Sequence, residues 1–174
     1  ELNASTFSAR VAASTGASLS ACALAGLSTL SGPLHGAAVS GVLAFLSEAQ
    51  LLGAGAAIRA RLDEGRALPG FGHPLYPGGD PRATELLAQF NVPEKLADIL
   101  SAVAHESGEH PNVDFAIAAM AQHHALPAEA AFSVFAIGRS IGWLGHAMEQ
   151  IETGSLIRPR ARYDGVMPDN AARP

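Results

Sequence analysis

The sequence predicts a nearly all-helical protein, and three observations carry that expectation. Alanine fills 35 of the 174 positions, and it is the strongest helix former. β-branched and aromatic residues are sparse, and no run alternates apolar and polar residues with period two. The Ala- and Leu-rich segments are separated by clusters of Gly and Pro, which together supply 29 positions.

The elements follow in order. Asn3 or Ser5 caps a first helix that runs to Thr29, and Ser31-Gly32-Pro33 breaks it. Pro33 suits the first turn of a second helix, from Leu34 to about Glu64. Residues 65–80 hold five Gly and three Pro and read as a loop. Pro81 opens a short helix to about Gln89, and Asn91-Val92-Pro93 starts another to about Glu106. Asn112 caps a helix to about Ala125, and Leu126-Pro127 begins a last one to about Glu152. Residues 154–174 read as extended and basic, with Arg158, Arg160 and Arg162 around Pro159. Residues 11–47 contain no charged side chain, but their nine Ser/Thr and five Gly suit helices buried in protein better than a membrane span. The first residue is Glu, and the opening residues lack signal-peptide character, so the sequence reads as the middle of a longer protein.

Composition bounds function. With 48% hydrophobic and 16% charged residues the chain can bury a core, which excludes disorder. Cys22 is the only cysteine, which excludes a disulfide scaffold. A net charge of −5 argues against nucleic acid as partner. Of the 11 basic residues only Lys95 is not Arg. Arg grips carboxylates and phosphates in fixed geometry, so a small acidic substrate is expected.

Several places pair a titratable side chain with a backbone device. In Gly32-Pro33-Leu34-His35-Gly36 the Pro sets a helix start, and the helix N-terminus disfavours a charged His35. A neutral imidazole can donate to an oxygen gaining negative charge. In Gly70-Phe71-Gly72-His73-Pro74 the glycines permit close backbone approach to a ligand beside His73. In Asn112-Val113-Asp114 the cap puts Asp114 in a first helical turn, ionised and available as a base. Together these suit proton abstraction next to a carbonyl. Arg82 follows Asp80-Pro81 beside the His73 loop, and Arg139 lies mid-helix among apolar neighbours, where a guanidinium needs an anion. The cluster His105-Glu106-Ser107-Gly108-Glu109-His110 and the pair His123-His124 lack metal-site spacing, so no metal is expected.

These motifs occur in the order found in citrate synthases: Gly-Pro-Leu-His-Gly (32–36), Gly-Phe-Gly-His (70–73), Asp-Pro-Arg-Ala (80–83), Asn-Val-Asp-Phe (112–115), Gly-Arg-x-x-Gly-Trp (138–143) and Arg-Pro-Arg (158–160). The sequence resembles the C-terminal half or so of such a protein. The resemblance implies an all-α fold, with residues 38–128 as a small domain and residues 1–37 and 129–174 as part of a large one. It implies a metal-free, cofactor-free condensation of acetyl-CoA, as co-substrate, with oxaloacetate. Asp114 would take a proton from the acetyl methyl, His35 would hold the enol oxygen, and His73 would polarise the oxaloacetate carbonyl. Arg82 and Arg139 would clamp the dicarboxylate, and Arg158 would reach the neighbouring subunit of a homodimer. A cytoplasmic location is expected, with no membrane partner. A 2-methylcitrate synthase using propionyl-CoA, cleavage of a citryl-CoA-type thioester and a non-catalytic sensing module are the alternatives, and whether this stretch acts alone stays open.

Overall fold

In the computed structural model, which describes residues 2–165, the Asn3 side chain accepts the Thr6 N–H and so satisfies a donor that a helix start leaves open. Helix α1 (Ala4–Ser14) ends at Thr15, and Gly16 turns the chain at φ +82°. Ser18 then caps α2 (Leu19–Leu30) through the Ala21 N–H. The expected single helix from Asn3 to Thr29 is thus corrected to two. The composition is helical throughout, but the left-handed residue lets the halves fold back onto each other.

The expected helix from Leu34 to Glu64 is divided as well. Pro33 and Leu34 lie in a turn, Gly36–Ala38 forms one 3₁₀ turn, and α3 (Val39–Leu52) follows. Gly53, at φ +90°, separates α3 from α4 (Ala54–Asp63), and the chain bends by 120° there. His35 therefore precedes a 3₁₀ turn and does not lie in the first turn of an α-helix. The remaining helices, α5 (Pro81–Leu87), α6 (Glu94–Glu106), α7 (Val113–His123) and α8 (Ala130–Thr153), lie close to their predicted ranges. Residues 65–80 form a loop, as their Gly and Pro content predicts. Residues 155–164 have no regular structure, and the end of the expected extended tail lies outside the described residues. No strand forms among the described residues; Phe71 and Pro111 make an isolated bridge.

Apolar side chains gather in separate places. Helices α3, α4, α6 and α7 bury Phe45, Leu46, Ile58, Leu96, Ile99 and Phe115. Full burial of each such side chain contributes about 1.5–3 kcal/mol. Helices α1, α2 and α8 pack through Ala9, Leu30 and Trp143, with Ala13, Cys22 and Ala147 beside them. Their small residues bring the backbones close: a Cβ on Gly26 would lie 2.6 Å from the Trp143 indole. Phe132 and Phe135 of α8 touch both groups, so α8 joins them. Among the described residues no single helix is long and apolar enough to cross a membrane.

Gly36 seats the 3₁₀ turn on the end of α2. A Cβ there would lie 2.6 Å from Leu30 Cγ and 2.9 Å from the Leu30 carbonyl oxygen. Gly36→Ala is expected to lower stability by about 1–3 kcal/mol, the usual cost of overpacking. Urea denaturation with an unchanged midpoint would contradict this packing.

Candidate active site

The loop of residues 65–80 is stitched to the start of α7. Gly72 N–H donates to the His110 carbonyl at 2.9 Å, and Asn112 N–H donates to the Gly70 carbonyl at 2.9 Å. The Asn112 side chain serves both sides: its Nδ2 donates to the Gly72 carbonyl at 3.0 Å, while its Oδ1 accepts the Asp114 and Phe115 N–H groups. Gly70, at φ +87°, leaves room that a Cβ would fill, 3.0 Å from Val42 and 3.1 Å from Phe115. The cap that starts α7 thus also brings His73 to the side of Asp114.

Asp80 completes the junction. Its side chain is fully buried, and both oxygens are occupied. Oδ1 accepts the Arg82 N–H at 3.0 Å and Nε–H at 2.9 Å; Oδ2 accepts Arg82 Nη2–H at 2.8 Å and the Val113 N–H at 3.0 Å. Burial alone would raise the Asp80 pKa, but the hydrogen bonds from Arg82 and Val113 outweigh it and the pKa is lowered. The guanidinium is held through Nε and Nη2, so Nη1 is left for another acceptor. Arg82 also lies over the Tyr76 ring at 5.2 Å, and Tyr76 stacks on His73 with centroids 4.8 Å apart.

A cavity of about 520 Å³ opens above this junction. His35, His73, Arg82, Asp114 and Arg139 all line it, with Tyr76 and Phe135 as aromatic walls. Burial pushes the Asp114 carboxyl above the ordinary aspartate value; Arg82 opposes the shift and Asp80 adds to it. Burial, and then the Arg139 charge, hold His35 below the ordinary histidine value. That replaces the helix-dipole reason expected for a neutral His35. His73 Nδ1 accepts the Leu75 N–H at 3.1 Å, so its neutral ring carries its proton on Nε2. Burial and the nearby Arg82 lower the pKa of Arg139, whose guanidinium packs on Phe135 at 5.4 Å. Among the described residues no carboxylate pairs with Arg139.

Arg158 is exposed and does not line the cavity. Neither His123, which stacks on Phe90, nor His105 and His110 line it either. Among the described residues no group of three or more His, Cys, Asp or Glu could hold a metal. Sequence reading missed Tyr76 and Phe135 as walls and Asp80 as the anchor of Arg82. Only Asp80 left a local signal, an acidic cap two residues before an arginine.

Breaking a buried ion pair from one side leaves the other charge uncompensated. Asp80→Asn is expected to cost about 3 kcal/mol, the low end of the range, because the Arg82 side chain is 38% exposed. A thermal melt unchanged by the substitution would contradict it.

Comparison with known proteins gives a consistent picture. The family model for the citrate synthase C-terminal domain matches residues 1–160. Citrate synthase 2 of Bacillus subtilis (strain 168) is 38% identical over 95% of this chain and 47% of its own length. The citrate synthase structure from Thermotoga maritima MSB8 superposes with a TM-score of 0.79 at 33% identity, covering 99% of this chain and 51% of that one. A citrate synthase from Thermoplasma acidophilum, solved as a ternary complex with carboxymethyl coenzyme A and oxaloacetate, gives 0.76 at 28% identity, covering 99% and 50%. The chain spans about half the length of the curated relatives it matches. Its sequence, its helices and the order of its motifs agree: the chain belongs to the citrate synthase family.

Proposed function

We propose that this chain supplies the acid–base half of a citrate synthase-type site, in which acetyl-CoA condenses with oxaloacetate to give citrate and CoA. The single observation that carries the reading is the cavity that His35, His73, Asp114, Arg82 and Arg139 share. Oxaloacetate carries two carboxylates, and two guanidinium groups are available to them: Arg139, and Nη1 of Arg82. His73 Nε2–H donates to the ketone oxygen and polarises the carbonyl.

The reaction then runs in balanced steps. The Asp114 carboxylate takes one proton from the acetyl methyl, and a raised pKa makes it a stronger base for that task. The enol oxygen that forms is held by His35, which burial keeps neutral. The methyl carbon bonds to the oxaloacetate carbonyl carbon, and the former carbonyl oxygen gains one proton while Asp114 gives up, by way of solvent, the one it took, so the proton count is unchanged. Water then cleaves the citryl thioester to citrate and CoA. Side chains fill the enolisation and carbonyl-polarising roles, and acetyl-CoA enters as co-substrate.

In this reading residues 38–128 form the small domain, while residues 1–37 and 129–174 belong to the large one. The separate apolar cores on either side of α8 support that division. Closure of one on the other would exclude water while the carbon–carbon bond forms. Arg158 would act in the neighbouring subunit of a homodimer in the cytoplasm. The exposed Ile137, Ile141, Leu144 and Met148 of α8, spaced along one helix face, support further polypeptide packing here.

Thiol release by the native-length protein, with acetyl-CoA or propionyl-CoA plus oxaloacetate, tests the reading. Release with acetyl-CoA supports it, and release confined to propionyl-CoA would make the protein a 2-methylcitrate synthase. Oxaloacetate binding without release from either would make the site a sensor. Asp114→Asn is expected to lower turnover by about 100-fold or more with near-normal oxaloacetate affinity; unchanged turnover removes Asp114 from the base role.

The pH profile offers a separate check. Asp114 must be ionised to act, so kcat/KM should fall on the acid side around a pKa above the ordinary aspartate value. Arg82 lowers that pKa, so Arg82→Gln should move the acid limb upward. A limb that stays in place would show that the Asp114 charge and Arg82 are not coupled.

A further inference from the structure

Hydrogen bonding alone leaves the His73 ring loosely aimed. The ring takes part in one such bond, Nδ1 accepting the Leu75 N–H at 3.1 Å, and that donor belongs to the same loop. Pro74 and Leu75 beside it are exposed. The torsion that turns a planar ring about its Cβ–Cγ bond has broad wells. One bond at Nδ1 therefore sets the direction of Nε2–H poorly.

Tyr76 supplies the missing constraint. Its N–H donates to the His73 carbonyl at 3.0 Å, and its own carbonyl accepts the Gly79 N–H at 3.0 Å, so two tight turns fold the loop back on itself. This brings the Tyr76 ring against the His73 ring, with centroids 4.8 Å apart and planes tilted by 35°. The same Tyr76 ring carries the Arg82 guanidinium, whose Cζ lies 5.2 Å from its centroid. Arg82 is not free to follow a moving neighbour. Asp80 holds its Nε and Nη2, and Asp80 is itself tied to the Val113 N–H at the start of α7. A ring pair and a cation over an aromatic face are both attractive, and both depend on orientation. Tyr76 thus connects a loosely held imidazole to a rigid carboxylate–guanidinium pair. The ring makes these contacts; the phenol hydroxyl has no hydrogen-bond partner among the described residues.

We propose that Tyr76 is a positioning residue for His73: its ring, braced on the Asp80-anchored guanidinium of Arg82, fixes the plane of the imidazole and so the direction in which Nε2–H enters the cavity. A donor aimed before the ligand arrives needs no reorganisation during the reaction. The consequence for turnover rests on the reading of His73 as the group that meets the ketone oxygen. The consequence for the ring itself does not.

Ring order can therefore be read without substrate. Carbon-13 relaxation of the native-length protein, labelled at histidine Cε1, reports the motion of each imidazole, and loss of one signal in His73→Gln assigns it. Wild-type His73 is expected to have an order parameter in the range of rigid backbone, about 0.85, and Tyr76→Leu to bring it below about 0.6. Tyr76→Phe keeps the ring and removes the hydroxyl, so it should restore the wild-type value. With acetyl-CoA and oxaloacetate, Tyr76→Leu should lower kcat about 10-fold, with KM for oxaloacetate within about threefold, because the carboxylates stay on Arg82 and Arg139. Tyr76→Phe should stay within about twofold of wild type in both constants. Wild-type ring order in Tyr76→Leu overturns the proposal, and so does a loss in Tyr76→Phe equal to that in Tyr76→Leu. A mobile His73 ring in the wild type overturns it even if neither variant folds. Failure of the wild-type protein to release thiol would instead refute the condensation reading, and ring order would still decide the role of Tyr76.

Discussion

Asp80 is a carboxylate with no exposed side-chain surface, and its two oxygens accept from Arg82 and from the backbone of Val113 at the start of α7. Burying a charge is costly unless its hydrogen bonds are complete. Here they are complete only when the end of the loop bearing His73 and the start of α5 bearing Arg82 lie against the helix start bearing Asp114. The geometry of the cavity hangs from that requirement. The Asn112 side chain works in parallel, since its amide caps α7 and ties down Gly72 at once. Residues far apart in the chain are thus held by groups whose polar atoms have no good alternative.

The charges of the cavity follow from the same arrangement. Arg82 is partly neutralised by Asp80, whereas Arg139 has no carboxylate partner among the described residues, and burial and Arg82 both lower its pKa. The cavity therefore favours an anion. Asp114, buried beside these cations, has its pKa raised by burial and lowered by Arg82, and burial wins. An arriving dianion would add negative charge near Asp114 and push it further toward a strong base. In the proposed reaction, substrate binding and base strength would be coupled through the guanidinium of Arg82.

Much of this was legible in the sequence. Alanine content fixed the helical class, and Gly/Pro clusters marked the loop of residues 65–80. Short motifs named His35, His73, Asp114, Arg82 and Arg139 before any coordinate. What the sequence did not reveal has physical causes. Gly16 and Gly53 adopt positive φ and break helices that their Ala-rich surroundings favour, and composition does not distinguish such a glycine from Gly26, which stays helical under an indole. His35 is kept neutral by burial and by Arg139, contacts made across the fold, and not by a local helix start. Of the two cap candidates, Asn3 caps α1 and Ser5 turns inward to His35 and Trp143. The polar use of Trp143, inside an apolar-looking helix, depends on a partner 138 residues away.

As proposed, these dispersed side chains form one dicarboxylate-binding, carbon–carbon bond-forming cleft. A crystal structure of the native-length protein with oxaloacetate bound tests it most directly. The ligand is expected in the cavity, with its carboxylates on Arg82 and Arg139 and its ketone oxygen within hydrogen-bond reach of His73 Nε2. Oxaloacetate seated elsewhere, or the cavity left to solvent at saturating ligand, would contradict it.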